Sequence, residues 1–470
     1  MESHPKPLSV ILILLVVLAL MVTPSLLDGW QQLHWADQSL ARGQYWVAAQ
    51  EYGSAARRLP WRTDLWEQAG LASFQAGNPD ETVSLLLQAR HREALTAQGR
   101  LTLGDAYLQL GDRSAALAEW NRLRTDGLLS ADLYERLARF YDGEVPNIPE
   151  ALAAYQGLLQ FSPQDAHAHY RLGLLLAAQQ PARALNELTQ AARLDPSLDS
   201  KVQVMHLALN TALQLDDPAY QAVVVGQALG FLGEWHLAMD AFQRAIQENQ
   251  NYAEAWAFMG EARGHLGQDG LTELNRALTL NPASVSARVF RGLYWKAHDR
   301  LDLALIDFRV AAGLEPANPA WLSILADTLA QSGDLSSALD VYQRAALLRP
   351  ENPQYWRLLA TFCIQYDVEP EIGLAAAQQA VDLSPNDPQS LDVLGWTYLH
   401  SGKSADAEQY LKKALEQAPS LASAHLHLGI LYLQKGQSGS ARSQLEQALA
   451  LAGEDPLGQQ AQQLLTQYFP

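Results

Sequence analysis

Two stretches near the C-terminus, LDVLGWTYLHSGKSADAEQYLKKALEQAPS from Leu391 and HLHLGILYLQKGQSGSARSQLEQALALAG from His425, superimpose without a gap at a shift of 34 residues. Gly395 falls on Gly429, Tyr398 on Tyr432, Ala407 on Ala441, Leu411 on Leu445 and Ala414 on Ala448. A segment of that length is too short to bury its own apolar face, so each copy must be covered by its neighbours, and a chain of such copies grows as an array. Carried upstream, the register places a small residue at Ala36, Gly70, Gly104, Ala138, Gly173, Gly226, Gly260, Gly292, Ala326 and Ala360 as well. All twelve positions are glycine or alanine.

A second small residue follows about twelve positions later, at Ala48, Ala116, Ala151, Ala184, Ala238, Ala304, Ala338, Ala407 and Ala441, with Thr82, Gly270 and Gly373 in the remaining units. Small side chains let two helix backbones cross closely, while Leu394, Tyr398 and Leu411 supply the apolar stripe that the crossing buries. Large and small must alternate for such layers to interdigitate. Prolines at Pro60, Pro163, Pro196, Pro282, Pro316, Pro350, Pro385 and Pro419 recur where a second helix should stop, since proline lacks the amide donor and disfavours helical geometry in the residue before it. Between the helices sit turn signals such as Gly77-Asn78-Pro79, Gly111-Asp112, Gly333-Asp334, Gly402-Lys403 and Gly436-Gln437, and a short turn makes the two helices antiparallel.

The pattern resembles the tetratricopeptide repeat family, whose helix-turn-helix unit has this period and a large-x2-large-small-x2-aromatic opening. The resemblance runs from about Asp28 to Gly453 and implies an all-α fold, a right-handed superhelical solenoid of about twelve helix pairs. The expected organisation is a short tail (1–7), an apolar helix (8–27), units 1 to 5 (28–196), an extra helix or half-unit (197–217), units 6 to 12 (218–453) and a C-terminal capping helix (454–470). The extra helix is expected because Gly173 and Gly226 stand 53 residues apart. Enlarged loops are expected at Val145–Pro149 and at Tyr366–Glu371.

From Leu8 to Leu27 the chain runs twenty residues without a charge, about the 30 Å that a helix needs to cross a bilayer. The expectation is an uncleaved single-pass anchor, on grounds of length and of a poor cleavage site with Pro24 in its middle; a removed secretory signal is the alternative. No cysteine stands beside the run, the only one being Cys363 far downstream, which excludes a lipoprotein anchor. Lys6 precedes it and no lysine or arginine follows until Arg42, so the array is expected outside the cytoplasm. Trp30 would sit at the headgroup level or pack in the first soluble helix.

With 33 basic against 51 acidic residues the formal net charge is −18, which opposes binding to nucleic acid through phosphate neutralisation. In the family, the first helices line a concave surface that holds peptides or segments of other proteins. The resemblance therefore places the residue after each small position beside that groove: Asp37, Leu71, Asp105, Arg139, Leu174, Gln227, Glu261, Leu293, Asp327, Thr361, Trp396 and Ile430. Four positions either side, Glu67, Glu135, Asp142 and Asp392 add acid, and Lys296 and Arg357 add base. The candidate partner-binding set is Asp37, Asp105, Arg139, Gln227, Glu261, Asp327, Asp392 and Trp396, and an acidic groove with apolar patches favours a basic or amphipathic protein partner. Family members that clamp the carboxylate end of heat-shock chaperones carry lysines and asparagines at such positions, a set missing here.

Nothing in the chain reads as a cofactor, metal or small-molecule site. Ser401-Gly402-Lys403-Ser404 imitates the end of a phosphate-binding loop, but Thr397 stands where its other glycine belongs. His167 and His169, and again His425 and His427, are two apart and point to different faces of a helix. Cys363 occupies a slot that holds Tyr398 and Tyr432 in other units, and Trp66, Trp256, Trp321 and Trp356 open first helices; both read as packing. With the whole length absorbed by the repeat, the reading is a membrane-tethered protein-binding scaffold rather than an enzyme; the alternatives are an accessory factor for envelope polysaccharide, pilus or secretion assembly, or a targeting subunit of an enzyme complex.

Overall fold

The computed structural model describes residues 7–469, with side chains described from residue 23 onward. Among the described residues there are twenty-six α-helices and no strand, an all-α solenoid. The chain divides into two compact bodies, residues 1–214 and 215–470. In the first, α1 (Pro7–Ala41) pairs with α2 (Tyr45–Arg58), α3 (Asp64–Gln75) with α4 (Pro79–His91), and α5 (Ala97–Gln109) with α6 (Arg113–Thr125). Next come α7 (Ala131–Arg139) with α8 (Ile148–Phe161) and α9 (Ala166–Leu176) with α10 (Pro181–Leu194), and the single helix α11 (Asp199–Leu213) lies on α10.

The second body repeats the arrangement. Its pairs are α12 (Pro218–Phe231) with α13 (Trp235–Glu248), α14 (Ala253–His265) with α15 (Leu271–Leu280), α16 (Val285–Ala297) with α17 (Leu301–Leu314), and α18 (Pro319–Gln331) with α19 (Leu335–Leu348). They continue with α20 (Pro353–Gln365) and α21 (Pro370–Leu383), α22 (Pro388–His400) and α23 (Ser404–Gln417), and α24 (Ala422–Gln434) and α25 (Ser438–Ala452). The last helix, α26 (Pro456–Tyr468), packs on α25.

The apolar run Leu8–Leu27 falls in α1, but most of its side chains lie outside the described residues. Among the described residues no helix is long and apolar enough to cross a membrane.

The small residue of each first helix has a definite counterpart. A β-carbon added at Gly395 would stand 2.7 Å from Leu411 Cγ, and one at Gly429 would stand 2.8 Å from Leu445 Cγ. Gly70 faces Leu86, Gly104 faces Trp120, Gly226 faces Phe242 and Gly292 faces Phe308 in the same way. The glycine is thus the hole and the large side chain of the second helix the knob, which is why the period survives in size when residue identity drifts. Gly395→Ala should lower unfolding stability by about 1–2 kcal/mol, overpacking outweighing the gain in helix propensity. Gly439, exposed in α25 with open space around it, should respond to alanine with a gain of up to about 1 kcal/mol. Urea titration of the two variants beside the parent checks the opposite signs.

Helix ends follow from local chemistry. Gly333, at φ +88°, ends α18, and the Asp334 amide reaches back to the Leu329 carbonyl; Gly402 and Gly436 close α22 and α24 likewise. Lys403, in the imitation phosphate loop, lies 5.6 Å from the centre of the Tyr398 ring. New first helices start on a capping side chain followed by proline: Asn318 before Pro319, Asn352 before Pro353 and Asp387 before Pro388. At the enlarged loop after α7 the helix widens into a π turn, Phe140–Glu144, before Asn147 caps α8. At the other enlarged loop, Asp367 (φ 52°) and Glu369 (φ 44°) take the left-handed region without glycine.

In four units a ring nitrogen four residues before the small position donates to, or bonds, a carbonyl of the preceding turn. Trp256 Nε1 donates to the Gln250 carbonyl (2.9 Å) and Trp356 Nε1 to the Pro350 carbonyl (2.9 Å). The rings of His169 and His425 bond the carbonyls of Pro163 (3.1 Å) and Pro419 (2.9 Å) from the matching position. Tryptophan and histidine alternate there because each offers a planar ring with a nitrogen donor.

Candidate functional site

Three hollows lie along the first helices, and the residues that follow the small positions line all of them. In the first body, Asp105 and Arg139 border a cavity of about 490 Å³ with Phe74, Leu108, Arg136 and Phe140. In the second body, Glu261 and Leu293 border one of about 630 Å³, and Thr361, Trp396 and Ile430 border one of about 830 Å³ that also takes in Asp392, His427 and Leu457 of the last helix. Asp37, Gln227 and Asp327 line none of the three.

Most of the charge in the candidate set is spent inside the protein. Asp105 accepts a forked pair of hydrogen bonds from Arg136, at 2.7–2.9 Å. Asp37 accepts from the Tyr52 hydroxyl at 2.7 Å, and Asp327 from Tyr342 at 2.9 Å and Lys296 at 3.3 Å. Asp392, 4 % exposed, bonds His427 Nδ1 at 2.7 Å, and the Trp396 ring stacks on that histidine with centres 4.6 Å apart. Arg139 is paired with Glu135 at 2.6 Å, Asp142 with Arg171 and Tyr155, Glu67 with Thr96, and Arg357 with Asp387. Gln227 is exposed.

Glu261 differs. It is partly buried, among the described residues no side chain donates to it, and desolvation alone pushes its carboxyl up to about 7. Around it stand Leu274, Phe290 and Leu293, and among the described residues no lysine or arginine lines the hollow. The neighbouring base Arg263 is drawn off to Glu273 at 2.6 Å.

Arg136, His427 and the aromatic wall of the Glu261 hollow were not singled out as groove residues from the sequence. A signal for the first two exists: polar partners on adjacent first helices stand roughly one period apart, as in Asp105–Arg136, Asp142–Arg171 and Asp392–His427. Opposite charges recurring at nearly the repeat length mark side chains that stitch one unit to the next.

Burial pushes the Cys363 thiol up to about 11, so it stays protonated at neutral pH, and its β-carbon fills the space that Gly373 leaves. Among the described residues no group of three or more histidine, cysteine, aspartate or glutamate side chains is placed to hold a metal ion.

Residues 322–458 match the family model described as Cilia and flagella-associated protein 70 middle TPR-like domain, and residues 101–166 match the one described as Tetratricopeptide repeat. Tetratricopeptide repeat protein 13 of Homo sapiens is 27% identical over 186 residues, covering 38% of this chain and 21% of that protein. TPR repeat-containing protein PA4667 of Pseudomonas aeruginosa is 26% identical over 269 residues, 56% of this chain and 36% of its own length. Cellulose synthase operon protein C of Pseudomonas fluorescens is 23% identical over 398 residues, 73% of this chain and 30% of its own length. The chain thus spans between about a fifth and a third of the curated relatives it matches.

Proposed function

We propose that this tetratricopeptide repeat protein is a non-enzymatic scaffold, which holds a basic or amphipathic segment of another protein against its first helices while its N-terminal apolar run confines it to a membrane. The observation that carries the reading is the coincidence of the hollows with the residues after the small positions: Asp105 and Arg139 in one, Glu261 and Leu293 in another, Trp396 and Ile430 in the third. Apolar walls with a few polar groups suit a side chain that enters from a docked segment, and a tether raises the effective concentration of whatever is docked. Lys6 before the apolar run, with no basic residue after it until Arg42, supports an array held outside the cytoplasm.

The test is capture by the full chain from a native membrane extract, beside a Leu293→Glu, Trp396→Ala, Ile430→Glu protein. Lysine at Asp105 or Asp327 would break internal pairs and confuse binding with stability. Proteins retained by the parent and lost by the triple variant support the groove; equal recovery moves binding elsewhere. The mass of the mature N-terminus tests the tether, and a chain that begins after Ser25 overturns it.

One observation favours a narrower reading, an accessory factor for envelope polysaccharide assembly: the match to cellulose synthase operon protein C extends over 73% of this chain. Deletion of the gene should then abolish export of a polysaccharide without changing its synthesis in the cell.

A further inference from the structure

We infer that the hollow between α14 and α16 anchors one lysine or arginine side chain of the docked segment, with its cationic head on Glu261 and its methylene stem on Leu274, Phe290 and Leu293. The inference rests on the binding reading above and names what that groove selects.

The first ground is the exception that Glu261 makes. Of the eight acids placed along the first helices by the repeat, Asp37, Glu67, Asp105, Glu135, Asp142, Asp327 and Asp392 each have an internal partner, and Glu261 has none among the described residues. Sheltering a carboxylate part-way from water without a partner is unfavourable, so the free site is incomplete in the way a binding site is.

The second ground is what surrounds it. Asp269 and the Tyr294 side chain stand at the rim. His265 stacks flat on Trp235, centres 3.7 Å apart, and His298 stacks on Tyr294 while its Nδ1 bonds the Tyr294 carbonyl at 2.8 Å. The carboxylates facing the hollow are Glu261 and Asp269, and no lysine or arginine among the described residues lines it. A volume of about 630 Å³ accommodates a long basic side chain, and the Phe290 and Tyr294 rings add attraction for a cation. A neutral apolar side chain would desolvate Glu261 further without compensation, and an acidic one would set two carboxylates together.

Because burial raises the proton affinity of Glu261, an incoming cation must displace a proton near neutral pH, and binding strengthens as pH rises through about 7. His265 and His298 line the same hollow, so the contribution of Glu261 is the difference between the parent and a Glu261→Gln protein.

Random dodecamer peptides displayed on phage are selected against the immobilised full chain, and the tightest is remade with each basic residue in turn replaced by norleucine. For the parent, one replacement should weaken binding about tenfold or more, the loss of one desolvated charge pair. For the Glu261→Gln protein the same replacement should make no difference, and the affinity difference between the two proteins should shrink about tenfold between pH 8 and pH 6. Persistence of the basic-residue dependence in the Glu261→Gln protein overturns the anchor. Tight peptides that tolerate every norleucine also overturn it while leaving the groove reading intact, and enrichment of no peptide at all overturns both.

Discussion

Asp307→Ala is expected to cost about 3–5 kcal/mol, the penalty for removing one partner of a buried charge cluster. The Asp307 carboxylate is 1 % exposed and accepts from Arg288 at 2.8 Å and from Arg291 through two nitrogens, each at 2.8 Å. Those bonds fasten α17 to α16, the helix pair that is also closed by Gly292 against Phe308. Alanine would strand two largely buried guanidiniums, one of which already has an unsatisfied Nε. Asp307→Asn keeps one acceptor oxygen but loses the charge and sets an amide donor against an arginine, so its cost should fall between parent and Asp307→Ala. Changing Asp307, Arg288 and Arg291 together to leucine or methionine should recover most of the loss, because well-packed apolar groups often replace a buried ionic cluster without penalty.

In an array whose stability adds up unit by unit, the damage should be local. Amide exchange in α16 and α17 should accelerate first in Asp307→Ala, with α22 to α25 unaffected. Uniform acceleration along the second body, or none in α16 and α17, would refute the assignment of this cluster as the lock on its unit.

The recurrence of small residues made twelve helix pairs legible because size at a crossing is a property of one position: a glycine faces one knob, and only a small residue fits. Gly395 against Leu411 and Gly104 against Trp120 obey that rule with different knobs, so residue identity changed while the spacing held. The candidate site was less legible because charge is a property of pairs. The sequence placed Asp105, Asp327 and Asp392 beside the groove as free acids, whereas Arg136, Tyr342 and His427 occupy them. Each of those partners comes from a neighbouring helix, and a one-residue register does not show which side chain will reach across. Glu261 could not have been distinguished from the others by spacing at all. What sets it apart is the absence of a nearby donor, since Arg263 turns to Glu273.

Glu261→Gln should stabilise the protein at pH 8 and leave its stability at pH 4.5 nearly unchanged. Desolvation raises the carboxyl from its usual 4.5 to about 7, and at about 1.4 kcal/mol for each tenfold change in proton affinity this disfavours the ionised form by about 3 kcal/mol. The folded chain therefore keeps this proton between about pH 4.5 and 7, where the unfolded chain has released it. Stability contributed by the protonated carboxyl is full below that window and is lost as pH rises through it. Glutamine has no proton to lose, so its curve should run with the parent in acid and lie up to about 3 kcal/mol above it in base. Urea titrations at pH 4.5 and pH 8, with amide exchange in α14 and α16 to localise the effect, measure that divergence. Curves that stay parallel across the window would mean that water or a neighbouring group already satisfies Glu261 in the free protein. A gain of stability at pH 8 would instead show a carboxylate held at a cost to the fold, which a cation from a partner would relieve.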